Sequence, residues 1–197
     1  MIQADPDRLL GVVLAGGESR RMGGQDKGLL TWQGEPMVAR VLSALRSVVP
    51  EVMISANRSL CDYRRFARRV EPDLPGYQSQ GPLGGLLTAM TVASSLGFEA
   101  VLVSPCDTPA LTAEALRRLL QAAGPFAERP TVAMVSGRLH PLHGVFPVSL
   151  APTLAEYLDS GERRVRVFLD RANALTVDCS DLVSAFVNCN TPADLDS

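Results

Sequence analysis

The segment formed by residues 12–30 constrains the fold and the function of this chain more than any other. It reads VVLAGGESRRMGGQDKGLL, so a short aliphatic run ends abruptly in Ala-Gly-Gly. Such a run predicts a buried strand, and the glycines after it let backbone amides approach an anion closely. Positive charge on the same loop comes from Arg20, Arg21 and Lys27. A buried strand that leads into such a loop predicts a cradle for a triphosphate.

The order of the residues excludes two common phosphate-binding loops. The chain contains no GxxxxGK[ST] sequence, which a P-loop requires. The glycines of this segment do not fall as GxGxxG, the fingerprint of many dinucleotide-binding proteins. The remaining alternative to a triphosphate cradle is a glycine-rich surface loop whose charges serve solubility alone.

Composition indicates one globular domain. Of the 197 residues, 46% are hydrophobic and 20% are charged, which is the usual balance for a folded chain of this length. The formal net charge of -2 argues against a broad surface for nucleic acid. The amino terminus has no apolar run typical of a signal peptide, and no window approaches the roughly 18 apolar residues of a membrane-spanning helix. We therefore expect a soluble cytoplasmic protein that binds neither nucleic acid nor membranes.

Strands and helices alternate along most of the chain. This alternation predicts an α/β fold, a Rossmann-like doubly wound and mainly parallel sheet with an antiparallel excursion, in a single domain over residues 1–197. The predicted strands are residues 12–14, 51–56, 70–74, 100–104, 131–135, 142–146, 174–177 and 185–187. The predicted helices are residues 36–45, 61–69, 82–92, 113–123, 150–158 and 162–169. A turn over residues 136–140 is expected to join two of the late strands.

Two polar residues follow predicted strands and are candidates for ligand contact. Asn57 and Asp107 come shortly after residues 51–56 and 100–104, and ligands of open α/β sheets bind outside the carboxyl ends of the strands. A carboxylate opposite a phosphate-binding loop suits Mg²⁺, which takes one or two carboxylates together with phosphates and water. Because Thr112 is predicted to cap the helix that follows, Asp107 is not needed as a cap. For Asn57 the alternative is a simple turn residue.

The histidines and cysteines do not predict a zinc site. His140 and His143 are three residues apart, a spacing that on a strand or loop points them to different faces, and no cysteine or carboxylate completes a ligand set. The four cysteines are scattered without a CxxC pair, so we expect them to be reduced and mostly buried.

The first loop resembles the nucleotidyltransferase signature LAGGxSxRMGxxDKxLL, and it is most similar to the version found in the molybdenum cofactor guanylyltransferase family. The matching residues are Leu14, Ala15, Gly16, Gly17, Ser19, Arg21, Met22, Gly23, Asp26, Lys27, Leu29 and Leu30. The PCDTP turn at residues 105–109 and the NCNTP ending at residues 188–192 resemble the same family. The resemblance covers nearly the whole chain.

The resemblance implies a reaction and assigns residues to it. GMP would pass from GTP to the terminal phosphate of molybdenum-molybdopterin, giving the guanine dinucleotide cofactor and pyrophosphate, with Mg²⁺ held by Asp107. About residues 1–110 would bind the nucleotide and about residues 111–197 the acceptor. The implied nucleotide contacts are Leu14, Ala15, Gly16, Gly17, Lys27, Asn57, Asp73 and Asp107. The implied catalytic residues are Asp107, Lys27 and Arg21, and the implied acceptor contacts are His140, Asn188 and Asn190.

Other functions remain open at this stage. The cytidylyl enzymes that act on the same cofactor generally have LAAG where this chain has Ala15, Gly16 and Gly17, and the sugar-phosphate enzymes usually have Pro where this chain has Asp26. A non-catalytic carrier of nucleotide or pterin is an alternative of another class, although it would not need both Lys27 and Asp107. The resemblance also implies transient contacts with cofactor-insertion proteins and molybdoenzymes.

Overall fold

The fold is built around β1 (Leu9–Leu14), an apolar strand whose residues are all buried. The computed structural model describes residues 4–15, 26–125 and 128–195. The strands that follow β1 are β2 (Thr31–Trp32), β3 (Glu35–Pro36), β4 (Glu51–Ser55), β5 (Arg69–Glu71), β6 (Ala100–Pro105), β7 (Thr131–Val135), β8 (Arg138–Pro147) and β9 (Leu175–Asp178). The strands β2 and β3 form a separate hairpin, and the other seven strands of the described residues form one sheet.

Helices follow most of the strands. They are α1 (Met37–Arg46), α2 (Leu60–Tyr63), α3 (Pro82–Ser95), α4 (Ala113–Ala123), α5 (Ala151–Asp159), α6 (Val165–Arg171) and α7 (Pro192–Leu195). Short 3₁₀ segments are present at Pro6–Arg8, Lys27–Leu29, Val148–Leu150 and Ser180–Phe186. The limits of α4 match the prediction because both ends carry local signals: Thr112 Oγ1 accepts from Ala115 N at 3.3 Å, and Gly124 follows the last turn with φ +71°.

The order of the strands places a crevice beside β1. The sheet runs β5-β4-β1-β6-β8-β7-β9, and all neighbouring strands are parallel except where β8 pairs with β6 and β7. The predicted mainly parallel, doubly wound sheet with an antiparallel excursion is confirmed. From β1 the chain moves to β4 on one side and later returns through α3 to β6 on the other side. The carboxyl ends of β1 and β6 therefore border the topological switch point, where open α/β sheets bind ligands.

Two hydrophobic cores cover the two faces of the sheet. One core joins the sheet to α1 and α4 and includes Leu42 and Leu116, and the other joins it to α3, α5 and α6 and includes Leu86 and Phe168. These four side chains are at most 1% exposed, and burying a side chain of this size contributes about 1.5–3 kcal/mol. Helices on both faces hold the strand ends rigid, and the site is built on those ends.

The β7–β8 hairpin differs from the prediction. Its turn consists of Ser136 and Gly137 alone, with φ +48° and +77°, so β8 begins at residue 138 and His140 lies within the strand. The register shifts near the middle of the hairpin, where Val132 pairs with Gly144 and the next residue already pairs with His140. Three residues of β8 therefore bulge opposite a single step of β7, which increases the local twist and redirects side chains.

Three smaller predictions about secondary structure were wrong. The helix predicted over residues 61–69 ends at Tyr63, and residue 69 already begins β5. Residues 185–187 do not form a strand, because Ala185 and Phe186 end the 3₁₀ segment and bury their side chains in the core that contains α1 and α4. Pro36 is the residue before α1 and belongs to the β2–β3 hairpin, so it is not the first helical residue.

The hairpin formed by β2 and β3 carries the chain's single tryptophan. The Arg40 guanidinium lies 4.6 Å from the centre of the Trp32 ring, and Arg40 Nε donates to Pro109 O at 3.3 Å. The indole is thus stacked on a side chain that is hydrogen-bonded to the turn after β6.

The cysteines match the expectation of reduced and mostly buried thiols. Cys106, Cys179 and Cys189 are buried, Cys61 is exposed, and all four are free. Among the described residues, no helix has the length and apolar character needed to span a bilayer.

Candidate active site

A lysine, an aspartate and an asparagine from distant parts of the chain meet at the carboxyl ends of β1 and β6. Lys27 Nζ donates to Asp107 Oδ2 at 2.9 Å and to Asn190 Oδ1 at 2.6 Å. Lys27 opens a 3₁₀ turn after the first loop, Asp107 follows β6, and Asn190 precedes α7. The side chains of Lys27 and Asp107 are 16% and 21% exposed, so their ion pair is screened less than one on the open surface. The structure thus brings together three residues that the sequence predicted for the site.

Backbone contacts hold Asp107 in place from both sides. Cys106 N donates to Leu14 O at 3.0 Å, which ties the turn to the end of β1. Cys189 N donates to Asp107 O at 2.8 Å, which ties the same turn to the carboxyl-terminal segment. Asp107 is therefore fixed between the two halves of the chain.

The carboxylate of Asp107 has one oxygen available for a cation. Lys27 occupies Oδ2, whereas Oδ1 is buried and has no hydrogen-bond partner among the described residues. A buried carboxylate oxygen without a partner is unusual, and such an oxygen is a suitable ligand for a hard cation. The described part of the chain contains no cluster of three or more carboxylate, histidine or cysteine ligands. A cation here would complete its shell with ligand phosphates and water, the arrangement typical of Mg²⁺.

Asn57 and Asp73 form a second pair at the ends of β4 and β5. Asn57 Nδ2 donates to Asp73 Oδ2 at 2.8 Å, and Asp73 N donates to Asn57 Oδ1 at the same distance. Asp73 is 5% exposed, and this burial raises the pKa of its carboxyl group, while the Asn57 hydrogen bond lowers it. The alternative of a simple turn residue at position 57 does not account for this geometry, since the amide group of Asn57 makes two hydrogen bonds to one partner.

The first turn of α3 packs tightly under this pair. A side chain at Gly84 would place Cβ 2.6 Å from Tyr77 O and 3.1 Å from Asp73 Oδ2. A side chain at Gly85 would place Cβ 2.8 Å from Ser55 Oγ. Both glycines are required for close packing, and the carboxylate of Asp73 lies beside the positive end of the helix.

The residue before Lys27 is anchored to α2. Tyr63 Oη donates a short hydrogen bond to Asp26 Oδ1, and Arg58 Nε lies 3.5 Å from Asp26 Oδ2. The side chain of Asp26 is only 6% exposed and Tyr63 is fully buried. Burial first, and then the neighbouring acidic groups, raise the pKa of Tyr63, so its hydroxyl keeps the proton that it donates. Sequence reasoning did not identify Tyr63, because nothing local to that residue marks the contact.

The two histidines lie behind the Asp107 turn. His143 Nε2 is 2.9 Å from Thr108 Oγ1, and the rings of His140 and His143 contact each other with centroids 5.5 Å apart. Phe186 packs against both rings. The prediction that the two rings point to different faces was wrong, because the bulge in β8 turns both of them to one side.

Burial keeps these histidines neutral. It lowers the pKa of His143 to about 3, with a smaller effect from His140. The pKa of His140 is lowered by burial and by the charge of Arg138. Neutral rings packed against Phe186 form an uncharged wall next to the Asp107 turn.

The carboxyl-terminal ending is shaped by a helix cap. Asp194 Oδ2 accepts from Asn190 N at 2.7 Å and from Thr191 N at 2.8 Å, so the third residue of α7 binds back to the residues that precede it. This contact fixes the backbone before α7, and the Asn190 side chain reaches Lys27 from there. Asn188 is exposed and lies two residues earlier, on the approach to this cap.

Part of the first loop lies outside the described residues. The predicted site residues Gly16, Gly17 and Arg21 are among them. Ala15 is described, and its N–H donates to Ser55 O at 2.8 Å. That amide is already paired within the protein, which the prediction of free loop amides did not anticipate.

Comparison with a family model agrees with this geometry. Residues 11–175 match the family described as the MobA-like NTP transferase domain. A molybdenum cofactor guanylyltransferase from Cereibacter sphaeroides is 42% identical over 189 residues, which is 95% of this chain and 94% of the relative. A protein of the same name from Vibrio cholerae is 36% identical over 186 residues, covering 93% of this chain and 88% of the relative.

Solved structures share the fold over nearly the full length. A protein from Aquifex aeolicus superposes with a TM-score of 0.74 at 28% identity and covers 92% of this chain and 93% of that chain. The molybdopterin-guanine dinucleotide biosynthesis protein A of Archaeoglobus fulgidus has a TM-score of 0.73 at 23% identity, with 95% of both chains covered, and supports the fold alone. With the family model and these close relatives in agreement, the chain belongs to the family of MobA-like NTP transferase domains.

Proposed function

We propose that this protein transfers GMP from GTP to the terminal phosphate of molybdenum-molybdopterin and releases pyrophosphate. The observation that carries the proposal is the pairing of Lys27 with Asp107 at the switch point of the sheet. Relatives named molybdenum cofactor guanylyltransferase, 36–42% identical over almost the whole chain, support the choice of substrates.

The reaction requires neutralisation of the negative charge on the phosphates and correct positioning of the two substrates. An oxygen of the acceptor phosphate would attack the α-phosphorus of GTP, and the bond from that phosphorus to the bridging oxygen would break. Pyrophosphate leaves with the electron pair of that bond. Protein groups contribute to such transfers mainly by placing cationic donors where negative charge develops. Lys27, with Arg21 and the first loop around Gly16 and Gly17, is proposed to supply those donors.

We propose that Asp107 holds Mg²⁺. Its buried and unpaired Oδ1 supports this assignment, and the phosphates of GTP and water would complete the coordination. The ion supplies Lewis-acid neutralisation of the phosphate oxygens when bound. Lys27 would then exchange its contact with Asp107 Oδ2 for a contact with the phosphates.

No general base is required by this reaction. The acceptor is already a phosphate anion, so no proton has to be removed before attack. The buried His143 fits this account, because its lowered pKa keeps it neutral and its Nε2 is engaged with Thr108. We assign His143 to the shape of the site.

The remaining predicted residues are divided between the two substrates. Asn57, Asp73, Leu14 and Ala15 are proposed to contact the nucleotide, and the mutual hydrogen bonds of Asn57 and Asp73 support their acting together. The proposed acceptor contacts are His140, Asn188 and Asn190. The hydrogen bond from Lys27 to Asn190 supports placing the acceptor phosphate next to the triphosphate.

The product is a cofactor and has to reach the proteins that use it. We therefore propose transient contacts with cofactor-insertion proteins and molybdoenzymes, and action in the cytoplasm. Co-purification with a molybdoenzyme after crosslinking tests the first proposal, and cell fractionation tests the second.

The reaction itself is tested by nucleotide-specific release of pyrophosphate. Purified protein is incubated with Mg²⁺ and each of the four nucleoside triphosphates, with and without molybdenum-loaded molybdopterin. We expect release with GTP only and only in the presence of the pterin, and loss of release when EDTA is added. Release with CTP would assign the protein to the cytidylyl enzymes. Binding of GTP without release from any triphosphate would indicate a carrier.

A further inference from the structure

We infer that Tyr63 and Asp26 form a positioning unit for Lys27 and support nucleotidyl transfer through the position of that lysine. The inference rests on the proposed function, because it assumes that Lys27 acts on the phosphates of GTP. The buried hydrogen bond from Tyr63 to Asp26 takes no direct part in the reaction, and its role would be to hold Lys27 in place.

The carboxylate of Asp26 has no role as a helix cap. Asp26 precedes the 3₁₀ turn Lys27–Leu29, the position where an aspartate side chain usually accepts from the backbone N–H groups that follow. Here its side chain makes no capping bond and turns inward to the hydroxyl of Tyr63. Burying a carboxylate is costly unless it is hydrogen-bonded, so a helix cap does not explain this orientation.

The partner of Asp26 is a rigid anchor. The ring of Tyr63 is fully buried on α2, which follows β4, and Tyr63 lies in the same core as α1 and α4. The backbone of Gly28 passes beside the hydroxyl, because a Cβ at that position would lie 2.5 Å from Tyr63 Oη. The residues on either side of Lys27 are thus both in contact with one buried hydroxyl.

The same carboxylate connects two loops of the candidate site. Arg58 Nε lies 3.5 Å from Asp26 Oδ2, and Arg58 directly follows Asn57, a proposed nucleotide contact. Asp26 therefore joins the segment that carries Lys27 to the segment that carries Asn57.

Loss of the hydroxyl is expected to displace the backbone at Lys27. Tyr63→Phe keeps the buried ring but leaves Asp26 Oδ1 without its donor. The carboxylate is then expected to turn toward water, and the backbone of Lys27, the next residue, is expected to shift with it. A displacement of about 1 Å at a catalytic group can cost up to a hundredfold in rate. We expect Tyr63→Phe to lower kcat/KM for GTP about tenfold.

The test is a double-mutant cycle with Lys27. Pyrophosphate release is measured for wild type, Tyr63→Phe, Lys27→Ala and the double variant, with GTP and molybdenum-loaded molybdopterin. If Tyr63 acts through Lys27, the tenfold loss disappears when Lys27 is already alanine. An equal loss in both backgrounds, or no loss in the wild-type background, would overturn the inference. Unchanged turnover in Lys27→Ala would instead overturn the proposed role of Lys27.

Two controls separate positioning from general damage. Tyr157→Phe removes another buried hydroxyl, which donates to Arg164 O at 2.9 Å in the opposite core, and it should leave kcat/KM unchanged. Asp26→Asn retains an oxygen that accepts from Tyr63 and should keep more activity than Asp26→Ala. Equal losses in the two Asp26 variants would contradict a hydrogen-bonded anchor. Thermal unfolding by circular dichroism confirms that each variant is folded.

Discussion

The contact between Gly28 and Tyr63 makes a quantitative prediction about stability. Gly28→Ala places a methyl group 2.5 Å from Tyr63 Oη, whereas the nearest ring carbons lie at 3.3 Å. The clash is therefore with the hydroxyl oxygen and only marginally with the ring. The phenol oxygen moves only with its ring, and that ring is fully buried, so the clash can be relieved only by shifting the ring or the backbone at Gly28, and either shift disturbs the hydrogen bond to Asp26. We expect Gly28→Ala to cost about 1.5–3 kcal/mol, the range for overpacking and for losing a hydrogen bond to a charged group.

The same substitution should be almost harmless when Tyr63 is already phenylalanine. Tyr63→Phe alone loses the bond to Asp26 and should also cost about 1.5–3 kcal/mol. With the hydroxyl gone, the methyl group at position 28 contacts only the ring carbons. Because Ala has a smaller conformational entropy than Gly in the unfolded state, the substitution then also stabilises the protein by about 0.4–1 kcal/mol. The double variant should therefore be about as stable as Tyr63→Phe, which corresponds to a coupling of about 1.5–3 kcal/mol.

Urea unfolding followed by circular dichroism at 222 nm measures all four proteins. The midpoint is compared at constant m-value, so that a change in midpoint reports stability alone. Equal destabilisation by Gly28→Ala in the two backgrounds would show that the methyl group clashes with something other than the hydroxyl, and would refute the reasoning.

Three further predictions concern other parts of the site. Asp107→Ala should lower turnover at least about a hundredfold while the unfolding midpoint stays near that of wild type, and residual turnover within tenfold of wild type would remove Asp107 from the mechanism. Gly144→Ala should destabilise the protein by more than about 3 kcal/mol, because the new Cβ would collide with Thr131 O and the two backbones would have to separate. Insoluble or unfolded protein in that variant, with soluble wild type prepared in parallel, is the expected readout, and normal stability would contradict it. For His143 the pKa falls from 6.5 to about 3 on folding, so the unfolded state takes up the proton first and stability is lost as the pH falls below 6.5. Between pH 7 and pH 5 this one group should cost about 2 kcal/mol, and the urea midpoint of His143→Gln should fall less than that of wild type.

Elements with local signals were predictable from the sequence. The helix α4 is the best example, since an N-cap threonine, an apolar stripe and a terminal glycine all lie within the segment that they define. The strands β1 and β6 were predicted for the same reason, because continuous apolar runs that end in glycine or proline are typical of the centre of a parallel sheet. The carboxyl ends of these strands then located Asp107 without knowledge of any contact.

Contacts between distant residues were not predictable in this way. Lys27 and Asn190 are 163 positions apart, and Tyr63 and Asp26 are 37 positions apart. The resemblance to the family predicted Asn190 as an acceptor contact. Its hydrogen bond to Lys27 could not be predicted, because it depends on how the last segment crosses the end of the sheet. Tyr63 carries no local signal, because a buried tyrosine in a short helix is most often part of a core.

The histidines show that residue spacing does not predict which face a side chain points to when the strand contains a bulge. Residues three apart on a regular strand lie on opposite faces, yet His140 and His143 touch because the strand bulges between them. Nothing in the residues themselves fixes that bulge. It follows from the register that β8 adopts against its neighbours on both sides, and such a register is a property of the whole sheet.

The position of Trp32 gives the protein a built-in optical reporter. It is the only tryptophan of the chain, so excitation near the red edge of protein absorbance selects a single indole. That indole is stacked on Arg40, whose Nε is bonded to Pro109 O two residues beyond Asp107. A ligand that shifts the turn after β6 should therefore change the emission of Trp32, and binding of GTP can be titrated on the unlabelled protein without any turnover.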